Sequence, residues 1–218
     1  MSSERYFDAI LELIQEVREE QRQTIQKAAR HAARTLEEGG CLHLLDHGHL
    51  LGAELVSRAG GLAALRLVTI EDVRNPALVR RGDVLFVASV SGRAREVIEA
   101  VLLAGERGVL VIALTSNAQA AHAPVEHESG RLLRDVADLV IDIGGAAGDA
   151  LLTFERLGRR ACPSSGVISA VVMWAVVAEA VAKMEADGFM PTIYTSANVP
   201  GGLERYQAEI QRYQRLGY

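Results

Sequence analysis

From residue 41 to residue 143 the chain repeats one pattern: a short, continuously apolar run followed by a helix-like segment. The runs are "CLHLL", "LRLVTI", "DVLFVAS", "VLVIALT" and "DLVIDI". "GAELVSRAG" follows the first run and closes on Gly60 and Gly61; "AREVIEAVLLAGER" follows the third and closes on Gly108; "RLLRDVA" precedes the fifth. A strand half in water alternates apolar and polar residues. These runs do not, so both faces of each strand are buried, which is the mark of a parallel sheet covered by helices on both sides. The expected architecture is α/β, a doubly wound sheet of five parallel strands in one domain. In such sheets ligands sit beyond the carboxyl ends of the strands, where strand order reverses. That directs attention to residues 46–50, 89–93 and 115–117.

The flanks are helical. Phe7, Ile10, Leu11, Ile14, Val17, Ile25, Ala28, Ala29, Ala32 and Leu36 recur at helical spacing, so residues 4–38 read as one long N-terminal helix stopped by Gly39 and Gly40. A stripe of that length needs more apolar surface than one small sheet offers, and predicts contact with a second subunit. The most apolar segment, "GVISAVVMWAVVAEAVAKM", is interrupted by Glu179 and Lys183 and reads as a core helix rather than a membrane span of ~20 apolar residues. A last helix starts at Glu204. The domain is thus residues 1–218, with a helix over 1–38, a core over 40–202 and a helix over 203–218.

Of the 218 residues, 49% are hydrophobic, enough for a sizeable core. A net charge of −5 without a basic run argues against nucleic acid. The charged, amphipathic N-terminus lacks a signal-peptide pattern, so the expected location is cytoplasmic. Cys41 and Cys162 supply neither a disulfide framework nor a zinc cluster.

The informative strand end is "SVSGR". Ser89 and Ser91 bring hydroxyl donors, and Gly92 permits close backbone approach. The helix behind them offers unpaired amides and the positive end of its dipole to an anion. A serine that merely caps this helix would explain the same residues. The next strand ends likewise, at Thr115 and Ser116, which favours a shared anion pocket. Neither G-x-G-x-x-G after the first strand nor a P-loop lysine motif is present.

With these residues in hand, "DVLFVASVSGRAREVIEAVLLAGERGVLVIALTS" resembles the core of the sugar isomerase (SIS) domain family: strand, Ser-x-Ser-Gly, helix, strand, Thr-Ser. "ELVSRAGGL", "HESGRLLRDVADLVIDIGGAAGDALL", "CPSSGVISA" and "TSANVPGG" resemble uncharacterised members of it that carry phosphosugar or phosphoheptose isomerase labels. The resemblance spans residues 40–202. It implies a three-layer αβα sandwich of flavodoxin-like type and a homodimer or homotetramer. It implies a phosphorylated or otherwise anionic sugar as ligand, aldose–ketose isomerisation through an enediol, and no cofactor. It places the phosphate against Ser89, Ser91, Gly92, Thr115 and Ser116. The first loop departs from the family's Gly-Thr-Gly-His-Ser and reads Asp46-His47-Gly48-His49-Leu50, matching at Gly48 and His49. Asp46 would oppose an anion unless a cation, His47 or Arg58, answers it.

An enediol route needs a base. Glu54, one turn into the helix after the first loop, is the first candidate, His127 the second and His49 the third. Arg58, four residues beyond Glu54, is positioned to hold Glu54 or an anionic ligand group; an ordinary helical ion pair is the simpler account. His43, His47 and His49 alternate along the chain. With Asp46, and with His122, Glu126 and His127 if their loop folds back, they would form a divalent-metal site. The preferred reading has no metal, His43 buried, and His47 and His49 acting singly. Asp149 orients a site residue or caps the segment after it. Ser164 and Ser165 read as helix caps. The turn around Asn198 closes over substrate or meets a second subunit. Two rival functions stand beside the isomerase: a non-catalytic sugar-phosphate sensor, and a metal-dependent sugar-processing enzyme built on the histidine-rich loop.

Overall fold

The computed structural model describes residues 1–48 and 51–216. Two helices lead, α1 (Ser2–Glu20) and α2 (Arg22–Glu37). The core then runs β1 (Leu42–Asp46), α3 (Leu51–Leu55), β2 (Leu65–Val68), α4 (Ile70–Arg74), β3 (Val84–Ala88), α5 (Arg95–Glu106), β4 (Leu110–Thr115), α6 (Asn117–Ala120), α7 (Leu133–Val136) and β5 (Leu139–Asp142). A hairpin of β6 (Leu152–Phe154) and β7 (Arg159–Ala161), then α8 (Ser165–Ala186) and α9 (Gly202–Leu216), complete the chain.

The five predicted strands form one parallel sheet in the order β2-β1-β3-β4-β5. The order reverses between β1 and β3, so the switch point lies over Asp46 and Ala88, which are register partners. Neighbouring residues of each strand face opposite layers, and both layers are apolar. Leu44, Phe86, Ile112 and Ile141 join a cluster with α1, α2 and α8; Leu45, Leu85, Val87, Val111 and Ala113 join another with α5 and Leu133 of α7. That double burial is why β1, β3 and β4 carry no polar alternation, and it makes the three-layer αβα sandwich, whereas the edge strand β2 exposes Arg66 and Leu67.

The long N-terminal helix is present with a break at Gln21, where φ is −99° and ψ 3°. The Gln21 carboxamide oxygen accepts the Asp142 amide at the end of β5 (3.3 Å), a tie to the sheet made at the break. Periodicity does not register such a bend, because apolar spacing continues on both sides of it. The hairpin of β6 and β7 was not visible in the pattern either. Its strands are three residues each, joined through Gly158 in the left-handed conformation (φ 64°).

α8 is long and apolar enough to cross a membrane by length and composition, yet its row Ile168, Val172, Met173, Val176, Ala180 and Met184 is buried in the core. It packs along α2 as the central helix of one layer.

Candidate functional site

The loop after β3 is shaped by β4. The Ser89 amide donates to the Leu114 carbonyl (3.1 Å). The Val90 carbonyl then accepts from two sides, from the Thr115 hydroxyl (2.9 Å) and the Ser116 amide (2.9 Å). Gly92 turns the chain at φ 60° and its carbonyl accepts the Leu133 amide (2.8 Å). α5 starts behind Ala94, which offers no side-chain cap, so the amides of its first turn are left for water or a ligand. The capping account of Ser89 and Ser91 therefore does not apply. Ser89 is 4% exposed, and neither serine hydroxyl has a hydrogen-bond partner among the described residues.

Thr115 and Ser116 are placed differently from the expected donor pair. Both are fully buried. The Thr115 hydroxyl is committed to Val90, and the Ser116 hydroxyl accepts the Gln119 amide (3.2 Å) as the cap of α6. They hold the loop's shape rather than face its opening.

Residues 46–48 of the first loop lie at the switch point. The His47 amide donates to the Ala88 carbonyl (2.9 Å), and Gly48 turns at φ 101°. His49 lies outside the described residues. Asp46 is not left facing an anion: its Oδ2 accepts the Gly52 amide at the start of α3 (3.0 Å). The two cations expected beside it pair elsewhere. His47 Nε2 lies 3.9 Å from Glu96 Oε1 of α5, and Arg58 pairs with Glu54. Glu54 is doubly engaged, since its other oxygen accepts the Trp174 indole N–H of α8 (3.3 Å). His127 folds back on Ser129, its Nδ1 accepting the Ser129 amide (3.1 Å). The structure thus gathers Ser89, Ser91, Gly92, His47 and Glu96 around one strand end, and holds Glu54 and Arg58 against α8.

His43 and His47 do not converge on one site. His43 is fully buried and directed at Asp83, whose carboxylate accepts the His43 Nε2–H (3.0 Å), the Cys41 amide (2.9 Å) and the Arg80 amide (2.9 Å). Cys41, His43 and Asp83 bring their ligand atoms within 4.8 Å of one another. Burial, aided by the Asp83 charge, pushes the Cys41 thiol up and keeps it protonated. This cluster joins the starts of β1 and β3, at the end of the sheet opposite the switch point.

A polar cleft of about 320 Å³ opens beside Ser91, lined also by Arg93, Gln119, His122, Ala147 and Gly148. Sequence reasoning passed over Gln119, Ala147 and Gly148, and weighed His122 only as a metal ligand. Arg93 was legible as the neighbour of Gly92; the others arrive from loops whose path no periodicity encodes. Asp149 sets one of those paths. It adopts φ 49°, and its carboxylate accepts the Ser164 and Ser165 amides (3.1 and 2.9 Å) and both hydroxyls (3.3 and 2.6 Å). The amino end of α8 is capped by Asp149 from outside the helix, and the two serines donate to it rather than cap. The turn around Asn198 is fastened to α9, where Glu209 accepts the Thr195 amide and hydroxyl (both 2.7 Å).

Comparison with known proteins agrees with this geometry. The family model for the SIS domain matches residues 5–77 and 69–116. A UPF0309 protein of Geobacillus thermodenitrificans is 32% identical over 235 residues, covering 97% of this chain and 94% of its own. A phosphoheptose isomerase from Francisella tularensis shares the fold with a TM-score of 0.57 at 16% identity, over 82% of this chain and 96% of that one. The Vibrio vulnificus NanR protein complexed with ManNAc-6P gives 0.51 at 14% identity, over 99% of this chain and 68% of that one. The SIS-domain model match over residues 5–116, together with a parallel sheet in this order and a Ser-Val-Ser-Gly loop over an uncapped helix, leads to one assignment: the chain belongs to the SIS domain family.

Proposed function

We propose that this chain binds a phosphorylated sugar with its phosphate on the Ser89 and Ser91 hydroxyls and the first-turn amides of α5, and interconverts its aldose and ketose forms. The observation that carries the binding is Ser89: a nearly buried hydroxyl with no partner, beside a helix end with no cap. With no protein partner among the described residues the hydroxyl is left to water, whose place a phosphate oxygen would take on it and on the helix amides. The fold neighbours named as a phosphoheptose isomerase and as a ManNAc-6P complex support the same ligand class.

Sugar phosphates should raise the melting temperature, because a ligand of the folded state stabilises it by mass action. Ser89→Ala should weaken that binding by on the order of tenfold, the value of one hydrogen bond to a charged group. Unchanged affinity would move the phosphate elsewhere.

A non-catalytic sensor is the second reading, and one observation favours it: both Glu54 oxygens are already engaged. Isomerisation requires Glu54 to exchange Arg58 or Trp174 for substrate. The Arg58 pair is half-exposed and opens at little cost. Glu54→Gln should abolish turnover while binding survives. A panel of sugar phosphates that stabilises the wild type without any turnover decides for the sensor.

The assembly we infer is a homodimer through α1 and α8. Phe7, Leu11, Val167 and Val171 are exposed apolar residues on these helices. Beside them runs an apolar groove of about 520 Å³ lined by Ile14, Val17, Ile25, Ile168, Val172 and Ala175. Arg18, Arg22 and Glu179 line the same groove. A two-fold contact sets this surface against its own copy, so these opposite charges can pair across it. Val171→Glu should shift the protein to monomer in sedimentation; an unchanged mass would place the interface elsewhere.

A further inference from the structure

The cleft beside Ser91 lies on the α6 side of the loop after β3 and shares Ser91 with the phosphate seat. Its lining carries donors: the Ser91 hydroxyl, the Arg93 guanidinium, the Gln119 carboxamide and the His122 imidazole. No carboxylate is among the described residues that line it. Glu126 lies just beyond, its Oε1 3.4 Å from Arg93 Nε. Ala147 and Gly148 close the far wall; Gly148 turns at φ 87°, and a side chain built on it would meet nothing within 4 Å. At ~30 Å³ per water the cleft would hold on the order of ten, room for a substituent and part of a sugar ring.

We propose that this cleft is a second recognition subsite, taking a substituent of the sugar that presents planar oxygen acceptors, either a carboxylate or an acyl carbonyl. The proposal rests on the reading that the phosphate sits on Ser89 and Ser91, because Ser91 borders both places and one ligand then spans them. An Arg fork matches planar oxygen acceptors, and Arg93 already receives one in the Glu126 carboxylate. A second phosphate fits less well. Its double charge would meet Glu126 beside the guanidinium, whereas a single charge or a neutral carbonyl meets less repulsion. Gln119 and His122 add donors that suit a carbonyl or carboxylate oxygen, which only accepts, better than a hydroxyl, which brings a donor of its own to a donor-rich wall.

The test is calorimetric titration of two matched pairs. Mannose 6-phosphate against N-acetylmannosamine 6-phosphate reads the acyl source, and glucose 1-phosphate against glucuronic acid 1-phosphate reads the carboxylate. In one pair the substituted member should bind at least about tenfold tighter. Arg93→Ala and, separately, Gln119→Ala should shrink that ratio, with the melting temperature of each free variant confirming that it is folded. Equal affinities within both pairs, with the plain sugar phosphates bound, would overturn the subsite and leave the phosphate seat standing. So would an Arg93→Ala variant that weakens plain and substituted members by one common factor, since Arg93 would then serve the phosphate. If no sugar phosphate binds the wild type, the phosphate reading falls and the subsite with it.

Discussion

Asp83→Ala should lower the free energy of unfolding by about 3–5 kcal/mol, because three donors lose their buried acceptor at ~1–3 kcal/mol each, partly recovered by relaxation. For a protein with ~5–15 kcal/mol in total, that approaches the limit of folding. Asp83 is 1% exposed and joins the starts of two central strands. Its loss strands three donors at once: the Cys41 amide, the Arg80 amide and His43 Nε2–H. A carboxylate only accepts, so His43 must donate through Nε2, and its buried Nδ1 already lacks a partner. The ring then has no polar contact left. Burial alone would push the Asp83 carboxyl up. The hydrogen bonds from His43, Arg80 and Cys41 outweigh it, so the carboxyl is held below its ordinary value. A depressed carboxyl stabilises the fold above the unfolded value of ~3.9 and loses that contribution as pH falls through the folded one. The gap between wild type and variant in urea midpoint should therefore be wide at neutral pH and narrow as pH drops below about 4. A loss of under about 1 kcal/mol at pH 7 would mean the cluster is replaceable by packing.

The same cluster marks the limit of what the sequence conveys. Sheet and layers were legible because burial on both faces leaves continuous apolar runs, and Leu44 and Leu45 indeed serve opposite layers; of three candidate strand ends, the strand order places the switch point over the first two. Ser89, Ser91 and Gly92 were legible because a strand must end and a helix begin there. Which acceptor a hydroxyl finds was not. Thr115 and Ser89 look alike in sequence, yet register sets Thr115 against the Val90 carbonyl and leaves Ser89 open. Glu54 was expected to reach back to the strand ends; α3 is one turn long, and α8 supplies a Trp174 indole that the sequence places 120 residues away. His43 shares a strand direction with His47, but its partner is chosen by the pairing of β1 with β3. Local propensity shapes the cradle, and tertiary register decides which of its polar groups remain available.

Gly92→Ala should destabilise the fold by about 2–5 kcal/mol and abolish ligand stabilisation, a larger functional effect than losing either serine hydroxyl. The backbone there sits at φ 60°, where a Cβ costs roughly 1–2 kcal/mol. The new methyl would meet Leu133 Cβ at 2.8 Å and the Thr115 hydroxyl at 3.3 Å. Neither neighbour is a free chain end. Leu133 is fully buried in the layer under α5, and Thr115 is tied to Val90. Relief of such a contact adds roughly 1–3 kcal/mol and must move backbone. The backbone most exposed to that movement is the loop itself, anchored through the Gly92 carbonyl on the Leu133 amide. A shift here moves Ser91 and the first turn of α5 together, so the hydroxyl and the helix amides cease to converge on one phosphate. The measurement is the rise in melting temperature caused by a saturating sugar phosphate, taken where circular dichroism shows the variant folded. It should vanish in Gly92→Ala and persist, reduced, in Ser91→Ala. A wild-type rise in Gly92→Ala would show that this loop is not where the anion sits, however well its shape suits one.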